Sequence, residues 1–137
     1  MPSGRLSTIR RQKGFTLIEM LVVCAIIGIL SAAAVANYRR SIVKAKEAVL
    51  QQDLYTMRTL INQYFADKGK YPSDITSLVE DHYLQAIPKD PFTDSSESWV
   101  TEAAELDESD ITTEPGIANV KSGAEGSSLD GRAYAEF

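Results

Sequence analysis

The chain has 137 residues, 44% of them hydrophobic, and a formal charge of −5, enough for one small domain and an additional segment. The charge is divided: the first fourteen residues carry Arg5, Arg10, Arg11 and Lys13 and no acid, which leaves −9 on the remainder. No basic face remains to meet phosphates, which argues against a nucleic-acid partner, and a single cysteine, Cys24, excludes a disulfide-built scaffold.

Phe15 to Ala36 is almost continuously apolar, and about 20 apolar residues suffice to cross a hydrocarbon core. A basic start, an apolar run and an acidic remainder describe a membrane-targeted chain with its cationic end kept cytoplasmic. One carboxylate, Glu19, lies close to the start of the run. A bare carboxylate in hydrocarbon costs on the order of 2.5–3.5 kcal/mol by insertion scales, so Glu19 calls for a partner. A cleaved secretory signal has a shorter apolar region followed by a small-residue site. Ala34 and Ala36 fit such a site, and cleavage there would leave Asn37 as the first residue. The front of the run argues against it: Gly14 separates the last cation from Phe15, and the carboxylate follows four residues later.

The stretch KGFTLIEMLVVCAIIGILSAAAVANY resembles the leader and N-terminal helix of type IV pilin-like proteins. The resemblance rests on Gly14, the aromatic Phe15, Thr16, Leu17, Ile18 and Glu19, followed by a membrane-length apolar helix. It implies that a prepilin peptidase cuts between Gly14 and Phe15 and methylates the new Phe15 amine, with residues 1–14 as the removed leader. The apolar helix, residues 15–36, is then retained. It also implies a role for Glu19: the Phe15 amine of a neighbouring subunit meets its carboxylate. Removing either charge of a truly buried pair costs roughly 3–5 kcal/mol, so a slipped register is disfavoured. Where many members of the family have a proline, this chain has Val35-Ala36-Asn37, and alanine favours an unbroken helix.

From Asn37 to about Lys68 the pattern stays helical. Ile42, Ala45, Val49, Leu50, Leu54, Met57, Ile61, Tyr64 and Phe65 recur at steps of three and four and make one stripe. Gly69 is placed to end the helix. The helix, apolar all round in residues 15–36 and amphipathic in residues 37–68, therefore needs a small domain, residues 69–137, to cover its stripe.

In that domain YPSDITSLVEDHYLQAIPKDPFT predicts a loop, a short helix capped by Ser73 or Asp74, and an ordered loop pinned by Pro88 and Pro91. Leu78, Val79, Tyr83 and Leu84 are its candidate core, and His82 is expected within the short helix, at the surface. The tract resembles a pattern of the major pseudopilins of type II secretion. Two short strands follow, around Trp99–Glu102 and Gly116–Val120, with Trp99, Ile117 and Val120 over the stripe. The connection between them carries Glu102, Glu105, Asp107, Glu108, Asp110 and Glu114 without a base, the composition of a solvated loop.

The tail, KSGAEGSSLDGRAYAEF, is rich in Gly and Ser yet ends in aromatic residues, so an ordered loop anchored by Tyr134 and Phe137 is expected. It resembles the calcium-binding C-terminal loop of major pseudopilins. Ca²⁺ takes about 6–8 oxygen ligands; Glu125, Ser127, Asp130 and the Leu129 carbonyl are the candidate ligands. A Gly-rich loop held by its own hydrogen bonds and aromatic contacts is the alternative. No nucleophile–base set, metal-spaced cluster or phosphate-cradling loop is present, so the sequence gives no basis for an enzyme.

The expected architecture is α+β and pilin-like: a long N-terminal helix on a domain with one short helix, a small antiparallel sheet and an ordered C-terminal loop. The resemblance implies a structural subunit that polymerises into a periplasmic pseudopilus serving type II secretion. Its partners would be copies of itself, the prepilin peptidase, an inner-membrane assembly platform and minor pseudopilins. A single-pass inner-membrane location follows, with the N-terminus cytoplasmic and the domain periplasmic. A type IV pilus pilin is the alternative within the class; a single-span membrane protein or secreted binding protein is the alternative outside it.

Overall fold

A computed structural model describes residues 13–105 and 115–137. The leader up to Gln12, and Asp107, Glu108, Asp110 and Glu114 of the acidic connection, lie outside the described residues. The chain divides into two compact units, Met1–Arg39 and Arg40–Phe137. Helix α1 (Leu17–Lys68) runs through the boundary without a break in its assignment, as alanine in place of proline at position 36 allows.

In the first unit α1 begins two residues later than the apolar run. Phe15 and Thr16 are not helical. Thr16 acts as the cap: its carbonyl accepts the first helical bond, from Met20 N at 3.2 Å, and its Oγ1 accepts from Glu19 N at 3.3 Å.

The second unit is built on one face of α1. Leu50, Leu54, Met57, Ile61 and Tyr64 are buried, at helical steps of three and four. The stripe is narrower than the sequence pattern: Ile42, Val49 and Phe65 are exposed. Phe65 instead stacks on Tyr71, with ring centroids 4.4 Å apart. Glu47, a carboxylate, begins the buried face. The helix closes at Gly69, which adopts φ 69° and donates its N–H to Phe65 O at 2.8 Å. Only a residue tolerant of the left-handed region ends a helix this way without strain.

Helix α2 (Ile75–Glu80) is capped by Asp74, whose Oδ1 accepts from Ile75 N. Ile75 and Leu78 are buried, whereas Val79, Tyr83 and Leu84 are half-buried. His82 lies past this helix rather than within it. The chain turns there with φ 61°, so that Tyr83 N and Leu84 N both return to Leu78 O at 2.9 Å.

Strands β1 (Val100–Ala103) and β2 (Ile117–Lys121) form an antiparallel pair with Thr101 opposite Val120. β2 turns Ile117 and Val120 into the core, while all of β1 is exposed. Trp99, one residue before β1, is buried and donates Nε1–H to Pro88 O at 2.8 Å. Two glycines permit the approach of β2 to its neighbours. A Cβ at Gly116 would stand 2.6 Å from Tyr71 Cβ, and one at Gly123 would run into the Ser98 carbonyl oxygen.

Three polar clasps complete the unit. Asp90, fully buried, accepts from Phe92 N at 2.8 Å and from the Ser122 hydroxyl. Arg58 donates to Val120 O at 2.9 Å and Phe137 O at 2.6 Å. Glu47 Oε1 accepts from Leu129 N at 2.8 Å and from the Tyr134 hydroxyl at 3.2 Å. The tail also folds on itself: Ser128 N donates to Arg132 O, and Tyr134 N to Gly126 O. Its 3₁₀ turn, η1 (Tyr134–Glu136), sets Tyr134 against Phe92 and Phe137 in a stacked aromatic row. Burial, and then the Glu47 carboxylate, push the Tyr134 phenol above its ordinary value.

Two measurements check these polar contacts. Hydrogen bonds to a charged group contribute about 1.5–3 kcal/mol. Glu47→Ala is expected to cost about that much in denaturant unfolding of the full chain in detergent, and to speed amide exchange at Leu129. Glu47→Gln, which keeps an acceptor, costs less. The second concerns Asp53. Burial, and then the negative charge of Asp90, raise its carboxyl above the ordinary 3.8. A raised folded value stabilises below the unfolded pKa, and that contribution is lost as pH rises through the folded one. Asp53→Asn is therefore expected to raise the thermal midpoint at pH 7 by a few degrees at most, with the gain vanishing near pH 4. A gain independent of pH would refute the assignment.

Candidate functional site

The residues singled out for processing and assembly all lie in the first unit. Gly14 and Phe15 are exposed and non-helical, and Glu19 is exposed in the first turn of α1. A Cβ at Gly14 would meet nothing within 4 Å, so the described fold places no steric demand for glycine there. Phe15, Leu17 and Ile18 are 75%, 88% and 70% exposed. Apolar side chains this bare are costly in water, at roughly 25 cal/mol per Å².

Glu19 has a local partner that the sequence pattern contained and the periodicity reading passed over. Thr16-Leu17-Ile18-Glu19 has the spacing of a capping box, and the Thr16 half is present as the bond from Glu19 N to Thr16 Oγ1. A carboxylate in the first turn also faces the positive end of the helix dipole, worth about 0.3–1 kcal/mol at an exposed site. Glu19 therefore suits the helix start of a single chain, and its side chain is still open to a cation from outside.

Beyond Glu19 the helix is apolar and bare. α1 holds an 18-residue stretch long and apolar enough to cross a membrane, and none of it is buried. Cys24 is an exposed free thiol within it. No acid occurs from Met20 to Lys46.

The candidate calcium ligands lie in the second unit. Glu125, Ser127, Leu129 and Asp130 are all exposed. Among the described residues, no hydrogen bond or ion pair engages the side chains of Glu125, Ser127 and Asp130. Their oxygens are thus available to a hard cation. Among the described residues, however, no three His, Cys, Asp or Glu side chains converge. The neighbouring acid, Glu47, is committed to Leu129 N and Tyr134. Ser128 Oγ accepts from Asp130 N and Arg132 N. A bound ion would draw mainly on Glu125, Asp130, hydroxyl and carbonyl oxygens, and on water.

Comparison with known proteins converges on the same segment. The family described as the prokaryotic N-terminal methylation motif matches residues 9–35. The chain is 29% identical over 99 residues to type II secretion system core protein G of Dickeya chrysanthemi, covering 61% of this chain and 65% of that protein. It is 33% identical over 81 residues to fimbrial protein EcpC of Eikenella corrodens, covering 56% and 53%. It is also 40% identical over 68 residues to the type IV major pilin PilE1 of Neisseria gonorrhoeae, covering 48% and 40%. The chain thus spans well under two thirds of the length of the two pilins and 65% of the secretion protein. No solved structure matches significantly. With its methylation motif, its long apolar-to-amphipathic helix and its small α+β domain, the chain is similar both to type II secretion core protein G and to type IV pilins.

Proposed function

We propose that this chain is the structural subunit of a periplasmic pseudopilus of type II secretion. A prepilin peptidase cuts it between Gly14 and Phe15 and methylates the Phe15 amine. The observation that carries the reading is the bare apolar surface of α1 behind a motif-matched glycine: Leu17, Ile18, Leu21, Ile29 and Leu30 are all at least 63% exposed. A surface of that kind is stable in lipid or against copies of itself. Similarity to core protein G over 99 residues, reaching well into the second unit, supports the secretion assignment over the pilus. The pilus reading rests on matches that cover 48% and 56% of the chain, at higher identity.

Assembly follows from charge. The exposed amine of a cleaved Phe15 stands at the positive end of its own helix dipole, which disfavours a cation there. Glu19 of a neighbouring copy offers that amine a carboxylate in low dielectric, and the two charges then answer each other. An inner-membrane platform, minor pseudopilins and copies of this chain are the partners of that step.

N-terminal sequencing of membrane-fraction protein tests the processing. Methyl-Phe15 is expected; an intact Met1, or a start at Asn37, would reject it. Glu19→Ala should be cut and inserted normally yet give little filament. Exoproteins trapped in the periplasm on deletion indicate secretion, whereas lost surface fibres indicate a pilus.

We also propose that the C-terminal loop takes Ca²⁺ through Glu125, Ser127, the Leu129 carbonyl and Asp130. The exposed, unengaged oxygens of these side chains support the reading. A ligand of the folded state raises apparent stability by mass action. Calcium is expected to raise the thermal midpoint of the full chain and chelator to reverse it, with Asp130→Asn abolishing the increment. A melt indifferent to both would dismiss the metal.

A further inference from the structure

Beyond the apolar run the chain carries a second set of cations that neither processing nor filament pairing uses. Arg39, Arg40, Lys44 and Lys46 lie within eight positions, as many cations as the leader holds. Their placement runs against expectation. Lys and Arg flanking a span normally mark the cytoplasmic side, yet on the reading above this flank faces away from the cytoplasm. Within the second unit, Arg40 and Lys44 stand one helical turn apart on α1, and both are exposed. Like charges at that spacing disfavour the helix that carries them. Among the described residues, no ion pair or side-chain hydrogen bond relieves either one. Glu47, the first acid to follow, turns its Oε1 to Leu129 and Tyr134. Lys46 lies 5.9 Å from the centre of the Phe92 ring, so it already packs on the domain.

We infer that Arg40 and Lys44, with Arg39 before them in sequence, bind the phosphate headgroups of anionic phospholipid at the far end of the span. Three observations favour lipid over another anion. The cations begin three residues after the last of the apolar run, Ala36. In sequence that is where a span of about 20 apolar residues would meet the headgroup layer. Helical side chains lean toward the N-terminus of their helix, here toward the apolar run, and long basic side chains reach further by that route. The absence of any acid from Met20 to Lys46 leaves the segment no internal counter-ion. The acidic surface of a second copy is the competing occupant.

The inference rests on the membrane-spanning reading, and the test separates the two. The full chain is reconstituted in phosphatidylcholine vesicles containing a trace of headgroup-photoactivatable phosphatidylglycerol or phosphatidylcholine, and labelled peptides are mapped. Residues 39–46 are expected to label preferentially with the glycerol lipid, on the order of fivefold per engaged cation, and less so at high salt. Arg39→Gln/Arg40→Gln/Lys44→Gln should bring the two probes to parity, while Lys70→Gln/Lys89→Gln, a control remote in sequence, should not. Equal labelling of the wild-type chain, a preference unchanged in the triple variant, or cross-links running mainly to a second copy would overturn the inference alone. Release of the protein by alkaline carbonate would overturn the membrane reading and this inference with it.

Discussion

One helix face has to serve as the wall of an entire core. The second unit contributes a six-residue helix and a two-stranded sheet, and neither is stable alone: an isolated hairpin is marginal in water, and so is a helix of that length. Leu50, Leu54, Met57, Ile61 and Tyr64 supply the surface on which Ile75, Leu78, Trp99, Ile117 and Val120 close. Because the wall belongs to the same helix that carries the apolar run, the domain and the anchor share one covalent element.

Apolar burial does not finish the job, and the remainder is done by charge directed at backbone. Glu47 and Arg58 come from α1 and Asp90 from the loop after α2. Each meets backbone groups: Glu47 at Leu129, Asp90 at Phe92, and Arg58 at Val120 and Phe137. Buried backbone groups without partners are costly, and the tail from Ser122 onward has no strand or α-helix to satisfy them. Arg58 brackets the tail, meeting Val120 in β2 before it and Phe137 at its far end. Glu47 holds the middle. The aromatic row of Phe92, Tyr134 and Phe137 then covers a loop with too few aliphatic side chains to cover itself.

Much of this was legible in the sequence because periodicity and punctuation are local signals. Steps of three and four gave the stripe, Gly69 its end, Ser73 or Asp74 the cap of α2, and Tyr134 and Phe137 the anchors of the tail. What stayed hidden depends on tertiary contact. Glu47 reads as one more surface charge on an amphipathic helix; its burial follows only from the arrival of Leu129 and Tyr134, more than eighty positions away. Gly116 and Gly123 are needed because Tyr71 and Ser98 approach them, and spacing carries no trace of that. His82 is a different failure. The helical pattern continued through it, but turning Tyr83 and Leu84 back onto Leu78 places the chain in the left-handed region, where a non-glycine residue is strained. The Thr16 cap was legible and was missed because Glu19 was read for its charge alone.

That oversight bears on how the N-terminus works. If Glu19 were only half of an intersubunit pair, each free subunit would hold an unanswered carboxylate at the head of an apolar helix. The Thr16 cap and the helix dipole make the position tolerable to a single chain, since a first-turn carboxylate is favourable there on its own. The proposed cationic partner, the amine of Phe15, is in the opposite situation: at the head of its own helix it is disfavoured by the same dipole. Pairing across subunits therefore relieves the amine more than it relieves the acid. On that proposal the drive to assemble would arise from the charge that cleavage creates, and an uncut chain, whose Phe15 nitrogen is an uncharged amide, would lack it. Proteolysis would license the contact chemically as well as remove a leader, and one helix end would separate the stored subunit from the assembling one.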